Sequence, residues 1–239
     1  MNILAIGAHP DDIECSSAGT LALYAQAGHT IFVAIATNGN VGSATLSREE
    51  IAAVRKKEQK ASCDLIGAEM IWMDFDDEWL MNDRPTRTRF IDAIRQADPD
   101  VMFIHAPNDY HPDHRIAGQL AEDARIPASV RLVETALPAI GRIPHIFYVD
   151  NVGGVDFQPE AYVDISSVIE LKKQMLLCHQ SQDSWMRAVY GEDTSITDLM
   201  MANGRARGLA AGAAFAEGFR EVRTYPRTGS FNLLPGFEK

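Results

Sequence analysis

Residues 2–14 read NILAIGAHPDDIE, and residues 100–114 read DVMFIHAPNDYHPDH. Each begins with a short apolar run. Residues 2–7 end at Gly7, and residues 100–105 end at His105. Runs of this length without polar alternation suit strands buried on both faces, as parallel sheets require. Each run is followed by a titratable cluster: Ala8-His9-Pro10-Asp11-Asp12 after the first, and His111-Pro112-Asp113-His114 shortly after the second.

The segments between and beyond these runs alternate in type. Residues 17–26 have helical spacing and stop at Gly28, and 30–37 (TIFVAIAT) form a β-branched strand ended by Asn38-Gly39-Asn40. Ser47 with Glu50 is a capping box that opens an amphipathic helix to about Leu65. A strand is expected over 69–73, a helix over 86–96 and a helix from Asp113 to about Ala124. Strands follow at 145–149 and 162–165, then a helix from Ser166 or Ser167 through Cys178, a Gly/Ala-rich helix over 205–216 and a strand over 219–224. This order predicts an α/β fold with a mostly parallel sheet covered by helices on both faces. Ligands of such folds sit at the carboxyl ends of the strands, where both clusters fall. No repeat, low-complexity tract or long linker divides the chain, so 1–239 is expected to be one domain. Residues 126–154 are expected to line the mouth of the site, and 190–204 to form a mobile lid.

The chain has 239 residues, 46% hydrophobic and 23% charged, ordinary for a protein with its own core. Its net charge of −11 carries no basic face and argues against nucleic-acid binding. The basic run Arg55-Lys56-Lys57 is interleaved with Glu49, Glu50 and Glu58, so the two lysines read as a solvated helix face. Three widely spaced cysteines make neither a metal knuckle nor a disulfide framework, which fits a reducing compartment. The amino-terminal apolar run is broken too early for a signal peptide, and no run approaches the roughly 18 residues of a membrane span. A cytoplasmic protein is therefore expected.

The two clusters supply donors for a catalytic metal, which takes His nitrogen and carboxylate oxygen and keeps one position open. One His with adjacent Asp11 and Asp12 offers two ligands and a spare base. His111 and His114, three apart at a helix start, lie roughly on one face, so that one can bind metal while the other faces substrate. Asp113 can orient a neighbouring imidazole. A His-Asp-His ion of this kind lowers the pKa of a bound water to about 7. The free carboxylate then takes its proton and the second imidazole stabilises an oxyanion or protonates a departing amine.

These residues resemble the LmbE-like, or PIG-L-like, de-N-acetylases. The resemblance covers most of the chain: AHPDDIE (8–14), Ala18-Gly19-Thr20-Leu21-Ala22, Gly28-His29, Thr37-Asn38-Gly39, Arg55 with Glu58, and Asp109-Tyr110-His111-Pro112-Asp113-His114. It continues through Lys173, His179-Gln180-Ser181-Gln182 and Ala216-Glu217-Gly218-Phe219. It implies a Rossmann-like three-layer fold and a zinc ion (Fe²⁺ being the other metal the ligands tolerate) held by His9, Asp12 and His114. It implies Asp11 as general base, His111 as oxyanion stabiliser and acid, and Asp113 as the group tuning His111. Arg55, Asp77 and Tyr110 would contact the substrate, an N-acetylglucosamine-type conjugate. Asp74 and Asp76 compete with Asp77 for its place. Relatives are often assemblies, so a homo-oligomer is one expected state. One departure is Asn40, where many relatives carry an acid.

Other readings have their own discriminators. The same ligands suit hydrolysis of a non-sugar amide. Two His and a carboxylate also make the facial triad of non-haem iron oxygenases, against which the spare Asp11 speaks. A nucleotide-binding module would need G-x-G-x-x-G after the first strand, where only Gly7 stands. His29, His105 and His145 are expected to pack or to bond at strand ends, and Cys15 to pack. Glu14 is expected to cap a helix, and Trp79 is the tryptophan favoured as a sugar platform. His179 reads equally as packing or site.

Overall fold

A computed structural model describes residues 1–226 and 229–237. Seven strands form one sheet: β1 (Asn2–Gly7), β2 (Thr30–Thr37), β3 (Glu69–Phe75), β4 (Val101–His105), β5 (His145–Val149), β6 (Ala161–Asp164) and β7 (Ala216–Glu221). Their order is β3-β2-β1-β4-β5-β7-β6. Strands β1 to β5 pair in parallel, and β7 runs antiparallel to both β5 and β6.

Eight helices connect them: α1 (Asp12–Ser16), α2 (Ala18–Gln26), α3 (Arg48–Asp64), α4 (Arg84–Ala97), α5 (Pro112–Ala128), α6 (Ile169–Leu177), α7 (Gln180–Tyr190) and α8 (Thr197–Ala211). Successive side chains of a strand point to opposite faces. Ile3 and Ala5 of β1 accordingly join one core with Leu21, Phe103, Phe147 and Leu176, while Leu4 and Ile6 join the other with Phe90, Ile94 and Leu120. Both faces of β1 are dry, which is why its sequence shows no polar alternation.

The chain moves from β1 outward through β2 and β3, then returns to place β4 on the other side of β1. This reversal makes a crevice between the carboxyl ends of β1 and β4. The helix starts nearby are fixed locally. Ser47 Oγ accepts the Glu50 N–H at 3.2 Å while Glu50 returns a bond to Ser47 N at 2.9 Å, so the capping box forms. Asp83 caps α4 through Thr86 N at 2.9 Å. Farther back, Glu217 of β7 accepts the N–H groups of Gly19 and Thr20, each at 2.8 Å, and pairs with Lys172 at 2.6 Å.

Three expectations are corrected. Residues 190–204 are not one loop, because α8 begins at Thr197 and α7 ends at Tyr190. The last strand is Ala216–Glu221, three residues earlier than expected, with Glu217 buried. Glu14 does not cap a helix end. It lies inside α1, buried, accepting from Ser62 Oγ at 2.5 Å and Gln59 Nε2 at 2.8 Å.

Candidate metal centre

The crevice gathers four imidazoles and six carboxylates from the three segments that follow β1, β3 and β4. Strand β1 ends into His9, Pro10 and Asp11, and Asp11 takes a left-handed φ of 100° that turns the chain into α1 and brings Asp12 back under His9. Non-glycine residues in this region carry strain that surrounding contacts must hold. Here the Asp11 N–H bonds Gln59 Oε1 at 3.3 Å, and Arg55 donates to Pro10 O at 2.6 Å and Asp11 Oδ2 at 3.3 Å. Gly39, at φ 67°, leaves the space that the Arg55 stem fills; a Cβ there would lie 2.6 Å from Arg55 Cδ.

Donor atoms of three residues converge, Asp12 offering a different oxygen to each imidazole. His9 Nδ1 lies 3.1 Å from His114 Nε2 and 3.5 Å from Asp12 Oδ2, and His114 Nε2 lies 3.2 Å from Asp12 Oδ1. Donors about 2.0–2.2 Å from a shared tetrahedral ion stand roughly 3.3 Å apart, so this triangle has the right size. The proton bookkeeping agrees. The outer nitrogen of His9, Nε2, faces Asp77 Oδ1 at 3.0 Å and Asp113 Oδ2 at 3.5 Å, and the outer nitrogen of His114, Nδ1, faces Asp109 Oδ1 at 2.9 Å. The contact from His9 is bent away from ideal N–H direction, since its Nε2 makes no well-aligned hydrogen bond. With the outer protons directed at carboxylates, the inner nitrogens turn their lone pairs toward each other. Such a juxtaposition calls for a cation or a shared proton between them.

The titration of these groups shows the same demand. Burial lowers the His114 pKa, but Asp12 and Asp109 outweigh it and push it up to about 9. Burial likewise works against a charged His9, and Asp113, Asp12 and Asp77 hold it well above its ordinary value. Burial raises the Asp12 carboxyl, yet His114 and His105 hold it well below the carboxylate range. Asp11 differs: burial raises it, Arg55 and His179 only partly offset this, and its pKa stays above the usual value. A raised carboxylate beside a metal site is suited to accepting a proton.

His111 caps α5, its Nδ1 accepting the Asp113 N–H at 3.2 Å. An accepting Nδ1 leaves the proton on Nε2, which lies 3.3 Å from Glu78 Oε1. Burial and the neighbouring His9 and His114 lower the His111 pKa. A neutral imidazole here still presents an N–H to the crevice.

The structure brings His9, Asp11, Asp12, His111 and His114 together. It redistributes three of the expected roles. The Asp113 carboxylate does not reach His111; it accepts the Glu78 N–H at 2.8 Å and faces His9. Asp77, expected at the substrate, is 4% exposed and supports His9 from behind. Arg55 is equally buried and supports Asp11. Tyr110 stands 64% exposed at the rim, 5.4 Å from the His114 ring. Two supports were missed as such. Asp109 holds His114, and His105, whose Nε2 accepts the Ala8 N–H at 3.1 Å, lies against Asp12 Oδ2 at 3.1 Å while its ring stacks on His114 at 4.2 Å. The position of His105 at the end of β4 is the signal that pointed there. Asn40 organises the loop after β3, donating to Asp76 at 2.8 Å and accepting from Asp77 N at 3.2 Å. His179 is buried 3.5 Å from Glu14, beneath Asp11 rather than in the crevice.

The crevice opens into a cavity of about 730 Å³ lined by Asp11, Asp12, His111 and His114 on one side and by Trp185, Tyr190 and Leu199 on the other. Asp150, Asn151 and Val152 after β5 also line it, so only the last part of 126–154 reaches the mouth. Trp79 projects into solvent away from this cavity, and Trp185 stands where a sugar platform was sought. Cys15 lies on the cavity wall.

Comparison with known proteins gives one family. The PIG-L family, described as GlcNAc-PI de-N-acetylase, matches residues 4–125. Diacetylchitobiose deacetylase of Thermococcus kodakarensis is 30% identical over 196 residues, covering 77% of this chain and 72% of that protein. The 4-oxalmesaconate hydratase of Pseudomonas putida is 28% identical over 189 residues, covering 75% of this chain and 73% of that protein. The solved structure of N,N'-diacetylchitobiose deacetylase from Pyrococcus horikoshii matches 97% of this chain and 88% of its own, with a TM-score of 0.80 and 26% identity.

Proposed function

We propose a function on one premise: the chain belongs to the PIG-L family of de-N-acetylases, which are amidohydrolases. On that premise the protein removes an N-acetyl group from an N-acetylglucosamine-type conjugate, using a divalent metal. The observation that carries this reading is the convergence of His9 Nδ1, His114 Nε2 and the Asp12 carboxylate, 3.1–3.5 Å apart, beside the carboxyl of Asp11. His9, Asp12 and His114 would hold zinc, or ferrous iron in its place. The ion supplies Lewis acidity to the water and to the amide carbonyl.

The remaining chemistry belongs to the chain. Asp11, steadied by Arg55 and Gln59, accepts a proton from the attacking water. Its left-handed backbone aims the carboxylate away from Asp12, which separates base from ligand. His111 Nε2–H donates to the oxygen on which negative charge grows, because its Nδ1 is committed to the Asp113 N–H. The C–N bond then breaks. The nitrogen takes a proton delivered through Asp11 or His111 and leaves as an amine, and acetate is the other product. Asp77, Asp113, Asp109 and His105 stand against the ligand side chains and would hold them in place.

We read residues 1–239 as one catalytic domain and place it in the cytoplasm, in keeping with three free cysteines; no described helix is long and apolar enough to cross a membrane. The test is amine release from a panel of N-acetylglucosamine conjugates, with and without chelator and zinc add-back. Chelator-sensitive release supports the reading. Absence of release from every conjugate, with metal confirmed bound, would overturn it in favour of another reaction. The relationship to a hydratase makes double-bond hydration the reaction to assay next.

A further inference from the structure

The cavity has two unlike halves. Its floor is the candidate metal centre, and its outer wall comes from α7, α8 and the turn after β5. On that wall Trp185 and Tyr190 meet edge to face at 6.2 Å, and Met186, Ile196, Leu199 and Val152 complete an apolar surface. Tyr190 is 65% exposed and Leu199 51%, although large apolar side chains gain by burial. Exposed apolar groups that share one cavity with a reactive centre mark a ligand wall more readily than a packing surface.

Apart from the imidazoles of the candidate metal centre, the charges along the same cavity have one sign. Asp11, Asp12, Asp109, Asp150 and Asp198 line it, and no lysine or arginine does among the described residues. Arg55 is sealed beneath Asp11, and Arg207 spends its charge on Asp150 from behind at 2.6 Å. A divalent ion on the floor would be offset by Asp11, Asp12 and Asp109. Beyond it, nothing on the wall pairs with a phosphate or a carboxylate, which need Arg or Lys forks for tight recognition. Within this family's range of substrates, that distinction separates conjugates by charge.

We infer that the substrate is a conjugate with no anionic group, whose apolar aglycone, aromatic or alkyl, lies on the Trp185–Tyr190–Leu199 wall while its amide reaches the metal centre. The inference rests on the deacetylase reading for the sugar half of the ligand. The aglycone half rests on the wall alone.

Binding of product amines separates the two. Three glucosamine conjugates, the methyl glycoside, the 4-methylphenyl glycoside and the 1-phosphate, are titrated calorimetrically into the zinc-supplemented protein. All three carry the same ammonium, so their differences report the aglycone. The expected order is aryl tightest, about tenfold or more over methyl, with the 1-phosphate weakest. In the double variant Trp185→Ala/Leu199→Ala, the aryl-to-methyl ratio is expected to fall toward one. Equal affinity for aryl and methyl, a 1-phosphate that binds as well as the methyl glycoside, a ratio unchanged in the double variant, or no binding by any conjugate would each overturn the inference. Turnover is read separately on the N-acetylated forms. The predicted binding order without amine release would leave the aglycone half of this inference standing and remove the deacetylase reading.

Discussion

At the scale of single residues, the centre is built in two shells of different consequence. Asp11 and Asp12 are adjacent, yet the 100° φ at Asp11 sends their carboxylates to different tasks. Asp11→Asn is expected to keep stoichiometric metal and lose roughly 10²–10⁴-fold in kcat. Metal analysis of the purified variant checks the first half, and loss of metal would make Asp11 a ligand. Asp77 and Asp109 hold the outer nitrogens of His9 and His114 at 3.0 and 2.9 Å. Removing such a support typically weakens a metal site by about 10–100-fold. Asp77→Asn and Asp109→Asn are therefore expected to show that loss in competition with a chromophoric chelator. An Asp77 variant with unchanged metal affinity and a raised KM would return this residue to the substrate-contact role that the sequence suggested.

At the scale of elements, the start of α5 and the junction of α7 with α8 matter most. Helix α5 packs Gly118 against the carbonyl of His105 at the end of β4, so closely that a Cβ would collide with it. Backbone cannot swing aside as a side chain does. Gly118→Ala is expected to cost about 1–3 kcal/mol and to displace His105 from Asp12, seen as a lower melting temperature together with weaker metal binding. Asp183 of α7 accepts the Ile196 N–H at 2.9 Å and the Arg187 Nε–H at 2.8 Å, tying the two wall helices together. Burial raises its carboxyl, but the bonds from Arg187 and Ile196 outweigh this and hold its pKa below the usual value. A depressed folded-state pKa stabilises the fold above the unfolded value, near 3.9, and that contribution is lost as pH falls through the folded value. Asp183→Asn is thus expected to lower stability by about 1 kcal/mol at pH 7. The gap between variant and wild type should narrow as pH falls below the unfolded value and close once it passes the folded one. A gap that persists in acid would show that the carboxylate charge is not what joins the helices.

At the scale of the whole molecule, metal binding and folding are expected to be linked, since the three proposed ligands come from the turn after β1, the start of α1 and α5 and meet only in the folded chain. An ion at a thousandfold excess over its Kd stabilises by about 4 kcal/mol. For a chain of this size that is a rise of about 10 °C in Tm. Differential scanning calorimetry with chelator and with zinc add-back measures it, and coincident melts would mean that no ion is held by the folded protein.

The sequence by itself determined the central sheet and the address of the site. β1, β2 and β5 have the bounds that their apolar runs predict, because a strand buried on both faces has no polar alternation and ends where turn residues begin. Two His/Asp clusters placed directly after such strands must meet if those strands are neighbours, and β1 and β4 are. What the tertiary structure alone decided lies where local signals are absent. α7 follows His179, which makes no side-chain cap, so no capping signal marks its first turn. Before α8, Ser195 Oγ accepts the Thr197 N–H at 3.3 Å and the Ser195 N–H donates to Asp198 at 2.8 Å, a bond pattern that only the folded chain distinguishes from a loop. The supporting role of Asp77 depends on a loop that turns through the left-handed residues Asp74 at φ 66° and Glu78 at φ 70°, and the Glu78 N–H in turn bonds the Asp113 carboxylate. A loop dihedral rotates everything that follows it. Spacing along the chain therefore names which carboxylates are near the centre, and only the folded backbone selects which imidazole each one holds.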